Sequence, residues 1–134
     1  MKTNKRILII DDEPDLVYLL ETQLQMDGYQ TVSASDGEEG LRIARKTCPS
    51  LIILDLNLPK LAGLEVCRAI REDCDALFDR TSFSFTPIIM LTANRGEADR
   101  IIGNVLGADE YFTKPFRPEI FLSKVRELCE EGRS

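Results

Sequence analysis

Histidine and tryptophan are both absent from this chain of 134 residues. Without imidazole there is no His-based acid–base pair, no serine-type triad, and no zinc site of the kinds that depend on His. Basic side chains are in the minority, 17 against 23 acidic, which gives a formal net charge of -6 and a pI near 4.7. That balance opposes direct binding to nucleic acid, whose phosphates need clustered Lys and Arg. Glycine-rich phosphate loops of the forms G-x-G-x-x-G and G-x-x-x-x-G-K-[ST] are also missing, so a nucleotide-binding module is excluded. No apolar run is long enough to span a membrane. The short basic start, Met1 to Arg6, leads into a brief apolar run that ends in two aspartates, so no signal peptide is expected and the cytoplasm is the expected compartment. The four cysteines, Cys48, Cys67, Cys74 and Cys129, form no C-x-x-C pair and are expected to be reduced, packed thiols.

What is present is enough apolar content, 43%, for the core of one ordinary domain. Three short runs, Ile7–Ile10, Leu51–Leu54 and Ile88–Leu91, are continuously apolar, as suits strands covered on both faces by helices. Thr31–Ala34 is a weaker strand candidate and Glu110–Thr113 a fifth. Helical spacing appears between them, for example at Ala98, Ile101, Ile102 and Val105, and at Phe121, Val125 and Leu128. Pro14 suits the first turn of a helix, Asp36-Gly37 opens another, and Gly28 and Gly107 fit helix ends. Five β-α repeats predict an α/β domain with a parallel sheet and right-handed crossovers. The expectation is a single domain over residues 1–134 with its core at about 6–128. Its five-stranded sheet is flanked by five helices in the flavodoxin-like order 2-1-3-4-5, an order taken by analogy with sheets of this kind.

Ligands of such open sheets bind beyond the carboxyl ends of the strands, where the strand order reverses. The residues that end the strands therefore matter most. Asp11 and Asp12 follow the first, Asp55 the third, Thr92 the fourth and Lys114 the fifth. Three carboxylates at one edge repel one another by about 3 kcal/mol per pair at ~5 Å with an effective dielectric constant of ~20. Hard oxygen donors in an open pocket suit Mg2+, with water completing its shell. Lys114 adds a cation expected on the opposite side, and Thr92 a hydroxyl donor. Taken singly, each has an ordinary alternative: a capping Asp, a turn Thr, a surface Lys before Pro115. Their conjunction at four strand ends points to a phosphoryl site with its nucleophile in place.

The same segments resemble a known family, the receiver domains of bacterial response regulators. The resemblance runs from about Arg6 to Leu128 and is carried by Ile-Leu-Ile-Ile-Asp11-Asp12-Glu-Pro, Leu-Ile-Ile-Leu-Asp55-Leu-Asn-Leu-Pro59, Met-Leu-Thr92-Ala and Gly-Ala-Asp-Glu-Tyr111-Phe-Thr-Lys114-Pro115-Phe. It implies that Asp55 is the phosphoacceptor, Asp12 a direct Mg2+ ligand, Asp11 a ligand through water, and Asn57 a ligand through its backbone carbonyl. It also implies that Lys114 pairs with the phosphoryl oxygens and that Thr92 bonds one of them after modification. Tyr111 stands where the family carries its switch aromatic, although an ordinary strand aromatic is the alternative there. Asn57 and Asn94 lie where the family tunes the phosphoryl lifetime.

The function so implied is a phosphorylation-dependent signalling switch, a phosphoacceptor and not an enzyme acting on external substrates. The expected partners are a sensor histidine kinase or phosphotransfer protein as donor, then a downstream protein or fused output domain. A dimer formed on phosphorylation is a further partner class, with no direct nucleic-acid or membrane contact by this domain. Having no histidine, the chain cannot itself be a phosphohistidine donor. Two other readings stand beside this one. A phosphorylation-independent interaction module would fail to take up phosphoryl in Mg2+. An aspartyl-phosphate phosphatase would usually carry a second acid two positions after the nucleophile, where Asn57 stands. The stretch Glu72 to Thr86, with Phe78, Phe83 and Phe85, looks longer than the family's usual connection and reads either as a longer third helix with a packed loop or as a docking insertion. Gly132 to Ser134 reads either as a tail or as a cloning scar.

Overall fold

The structure, a computed structural model, describes residues 5–56, 58, 63–71, 86–93 and 109–131. Five strands form one sheet: β1 (Arg6–Ile10), β2 (Gln30–Ala34), β3 (Leu51–Asp55), β4 (Ile88–Thr92) and β5 (Glu110–Thr113). Every neighbouring pair is parallel and the order is β2-β1-β3-β4-β5, as the sequence predicts. β3 and β4 each run one residue past their apolar runs, so Asp55 and Thr92 are the last residues of strands and not the first residues of loops.

Four helices lie among the described residues: α1 (Pro14–Met26), α2 (Gly37–Thr47), α3 (Gly63–Arg71) and α4 (Pro118–Glu131). The expected helix around 98–105 falls outside them, as do Cys74, Phe78, Phe83 and Phe85 of the long connection and the tail from Gly132. Pro14 occupies the first turn of α1, Asp36 caps α2 by accepting the Glu39 N–H at 2.8 Å, and Gly28 ends the α1 turn at a φ of 97°. That last angle lies in the left-handed region, where a side chain would be strained.

Because side chains alternate along a strand, a continuously apolar run feeds two cores at once. Leu8, Ile10, Ile52, Leu54, Ile88 and Met90 pack with Ala44 of α2 and Val66, Cys67 and Ile70 of α3. Ile7, Ile9, Leu51, Ile53, Ile89 and Leu91 face the other way, onto Leu20 and Leu24 of α1 and Phe121 and Val125 of α4. Full burial of such side chains stabilises by about 1.5–3 kcal/mol each, so the two layers fix strand register, and with it the residues at the strand ends. Cys67 and Cys129 are buried thiols as expected, but Cys48 is exposed: it ends α2 with a φ of 47° instead of entering a core.

Candidate functional site

The carboxyl edge of the sheet gathers the charged residues. Asp11 follows β1 and is tied to β2 through its N–H to the Ala34 carbonyl at 3.1 Å. Asp55 closes β3, paired with Leu91 of β4, and the next N–H, of Leu56, reaches the Leu91 carbonyl at 2.8 Å. Strands β1 and β3 are neighbours, so the register carries Asp11 and Asp55 out side by side. Asp11, Asp12 and Asp55 each offer an oxygen within 4.8 Å of the others. Asp11 and Asp55 are buried, at 2% and 4% exposure, while Asp12 is exposed.

Lys114 leaves the end of β5, its N–H bonded to the Thr92 carbonyl at 2.7 Å and its bond to Pro115 cis. The loop beyond is anchored by aromatic packing, with Phe116 stacked on Phe121 at 4.8 Å and Phe112 edge-on to both. The Lys114 ammonium does not stand across the site from the first two acids, as the sequence suggests. It lies 3.1 Å from Asp11 Oδ2, 2.5 Å from Glu13 Oε1 and 3.6 Å from Asp55 Oδ2. Burial would lower its pKa, but the hydrogen bond to Glu13 and the charges of Asp11 and Asp55 outweigh that and hold it above the usual lysine value. Asp11 moves upward too. There burial dominates over the Glu13 N–H, donated to Oδ1 at 2.9 Å, and over the Lys114 charge. Its other oxygen, Oδ2, is buried and faces the ammonium at 3.1 Å.

Three carboxylates that each bring an oxygen within 4.8 Å of the others, two of them buried, fit a hard divalent cation such as Mg2+, which takes oxygen ligands and keeps several waters. A cleft of about 610 Å³ opens here, with Asp12, Asp55 and Lys114 on its polar side and Leu16, Leu19 and Phe116 on its apolar side.

Thr92 is fully buried at the end of β4, level with Thr113 of β5. Tyr111, level with Met90, is partly buried against the layer that carries α2 and α3. By strand alternation Thr92 and Tyr111 share that face of the sheet, two positions apart along it. Asn57 and Asn94 lie outside the described residues. Two residues escaped the sequence reading. Glu13, third in the acidic run, is the nearest partner of Lys114. Gly63 opens α3 hard against β3: a Cβ there would stand 2.2 Å from the Asp55 carbonyl oxygen and 2.8 Å from the Leu56 Cα. Its N–H meets the Leu56 carbonyl at 3.1 Å, so α3 begins where Asp55 is held.

Comparison with known proteins agrees with this geometry. The response regulator receiver domain family matches residues 7–126. The chain is 45% identical to the alkaline phosphatase synthesis transcriptional regulatory protein PhoP of Bacillus subtilis, over 96% of this chain and 50% of that protein. It is 38% identical to the DNA-binding response regulator MtrA of Mycolicibacterium smegmatis, over 91% of this chain and 49% of that protein. The chain thus spans about half the length of the curated relatives it matches. Among solved structures, the chemotaxis response regulator CheY4 of Vibrio cholerae superposes with a TM-score of 0.80 at 32% identity, covering 94% of this chain and 99% of that one. The receiver domain of the sensor histidine kinase PA1611 from Pseudomonas aeruginosa, with a magnesium ion coordinated in its active site cleft, gives 0.79 at 25% identity, covering 96% and 99%. With its sheet order, its acidic strand ends and its match over nearly its whole length, the chain belongs to the response regulator receiver domains of two-component signalling.

Proposed function

We propose that this domain is a switch operated by phosphorylation of Asp55, with a phosphohistidine of a sensor kinase or phosphotransfer protein, or a small acyl phosphate, as donor. The observation that carries the reading is the clustering of Asp11, Asp12 and Asp55 within 4.8 Å beside one lysine ammonium, with Asp11 and Asp55 buried. An ionised Asp55 oxygen attacks phosphorus, the bond from phosphorus to the donor's nitrogen or acyl oxygen breaks, and no general base is needed because the nucleophile carries no proton. Lys114 pairs with the phosphoryl oxygens as their charge develops. Asp11, Asp12 and Asp55 would hold Mg2+, with the backbone carbonyl of Asn57 as a further ligand. When bound, the ion supplies positive charge that offsets both the acids and the transferred group. Water attack at phosphorus later restores Asp55, so the domain assists chemistry on its own side chain and is not an enzyme for external substrates.

Phosphorylation replaces the single charge of the Asp55 carboxylate with a phosphoryl group that carries about two negative charges and three acceptor oxygens at the end of β3. Thr92 would donate its hydroxyl to one of them. Tyr111, on the same face of the sheet, would follow into the space that Thr92 vacates. Two arrangements of this face would then differ in affinity for the next partner, which is what a switch requires. The apolar wall formed by Leu16, Leu19 and Phe116 beside the acids suits a protein donor docking around its phosphohistidine. PhoP is named a transcriptional regulatory protein and MtrA a DNA-binding response regulator, and each spans about twice this chain's length, which supports a DNA-binding output domain as the element controlled. The expected setting is the cytoplasm, and no helix among the described residues is long and apolar enough to cross a membrane.

The direct test incubates the protein with acetyl phosphate and Mg2+ and reads mass gain and its position. Wild type should gain one phosphoryl group when Mg2+ is present and none when the metal is chelated beforehand, and Asp55→Asn should gain none. Undiminished uptake in Asp55→Asn would sink the assignment.

A further inference from the structure

The site contains one more acid than phosphoryl transfer uses. Glu13 is the N-cap residue of α1, with extended backbone at φ -98° and ψ 103°, yet its side chain makes no capping hydrogen bond. Ser, Thr, Asp and Asn are the side chains that accept first-turn N–H groups from that position, and the longer Glu side chain reaches elsewhere. Here Oε1 instead meets Lys114 Nζ at 2.5 Å, closer than Asp11 at 3.1 Å or Asp55 at 3.6 Å. The Glu13 backbone is held in place, because its N–H is bonded to Asp11 Oδ1 at 2.9 Å. Its side chain is 59% exposed, against 18% for Lys114, so the carboxylate can swing into water at little cost while the ammonium stays.

We propose that Glu13 is the counter-ion of Lys114 in the unphosphorylated domain, and that it competes with the incoming phosphoryl group for that ammonium. The proposal rests on the reading of Asp55 as phosphoacceptor. A phosphoryl group that binds between Asp55 and Lys114 brings oxygens that need the same N–H donors Glu13 occupies, and one ammonium has three. The donor therefore displaces a carboxylate before it is engaged. Once Glu13 has let go, it takes no part in the transfer. Glu13 is thus a positioning residue that sets how much donor is needed, with little influence on the rate at saturation.

The test compares wild type, Glu13→Gln and Asp15→Asn, the last removing a nearby acid of the α1 first turn that lies outside the Lys114 ion pairs. At saturating Mg2+, two quantities are read: the acetyl phosphate concentration giving half-maximal phosphorylation rate, and the affinity for beryllium fluoride by calorimetry, which involves no transfer step. A partly exposed ion pair is worth about fivefold in affinity. Glu13→Gln should lower both half-saturation values by about that factor with the maximal rate nearly unchanged, and Asp15→Asn should move neither by more than about 1.5-fold. Unchanged affinities in Glu13→Gln, a changed maximal rate alone, or an equal gain in Asp15→Asn would each overturn the proposal, the last by pointing to general electrostatics. Wild type that takes no phosphoryl group on Asp55 would instead remove the reading beneath it, a failure visible before any variant is compared.

Discussion

Two acids with nearly buried side chains, Asp11 and Asp109, stand at opposite edges of the same sheet, and each faces one cation. At the amino edge the arrangement is closed. Asp109 Oδ2 accepts from Arg71 Nη2 at 2.9 Å and from the Ile88 N–H at 2.8 Å, while Arg71 Nη1 reaches the Thr86 carbonyl at 2.8 Å. The Thr86 hydroxyl in turn donates to the Pro49 carbonyl at 3.1 Å. Among the described residues one acid meets one guanidinium, and the end of α3 is fastened to the starts of β4 and β5. At the carboxyl edge three acids, Asp11, Glu13 and Asp55, crowd one ammonium, and Asp12 adds a fourth charge beside them. The same chemistry, a carboxylate and a cation at strand ends, serves as a fastener where the charges balance and as a receptor where they do not. An excess of acid is tolerated only where something positive comes to meet it.

The largest effect that would sharpen this contrast belongs to the amino edge. Arg71→Met removes the guanidinium from the largely buried Asp109 carboxylate and should cost about 3–4 kcal/mol in urea unfolding. The molecules that remain folded should phosphorylate normally, and a stability within error of wild type would break the comparison. Next comes Gly63→Ala, whose added methyl meets backbone atoms of Asp55 and Leu56 that cannot step aside. The expected cost is about 2 kcal/mol, together with slower phosphorylation per folded molecule because the end of β3 is displaced. Full activity in this variant would show that the close approach of α3 does not position Asp55.

These two residues also mark where the sequence stops being readable. The three central strands, with the acids that end two of them, were legible because strands buried on both faces must be apolar throughout, so each run announces its own end. The helix starts at Asp36 and Pro14 were legible because start signals are local. Arg71 and Asp109 are 38 positions apart, and their pairing depends on which helix end returns to which strand. Glu13 looked like the tail of an acidic run. Its contact with Lys114 spans 101 positions and exists only because β1 and β5 finish at the same edge, on either side of α1's first turn. For the same reason the side on which Lys114 approaches was misread, although its presence was not. Cys48 follows the last turn of α2, where the need to end a helix overrides the tendency of a thiol to be buried.

The smallest expected change in stability tests the central claim, that the carboxyl edge gives up stability for the sake of a ligand. Asp12→Asn removes one charge from the cluster without touching either core. In metal-free buffer it should raise the melting temperature by about 4 °C, corresponding to about 1 kcal/mol of relieved repulsion. The gain in melting temperature that Mg2+ gives to wild type should largely disappear in the variant. Thermal unfolding of the two proteins with and without Mg2+ therefore decides the matter. A crossing, with the variant ahead without metal and wild type ahead with it, is the result this account predicts. A variant no more stable than wild type without metal, and equally stabilised by Mg2+, would contradict it.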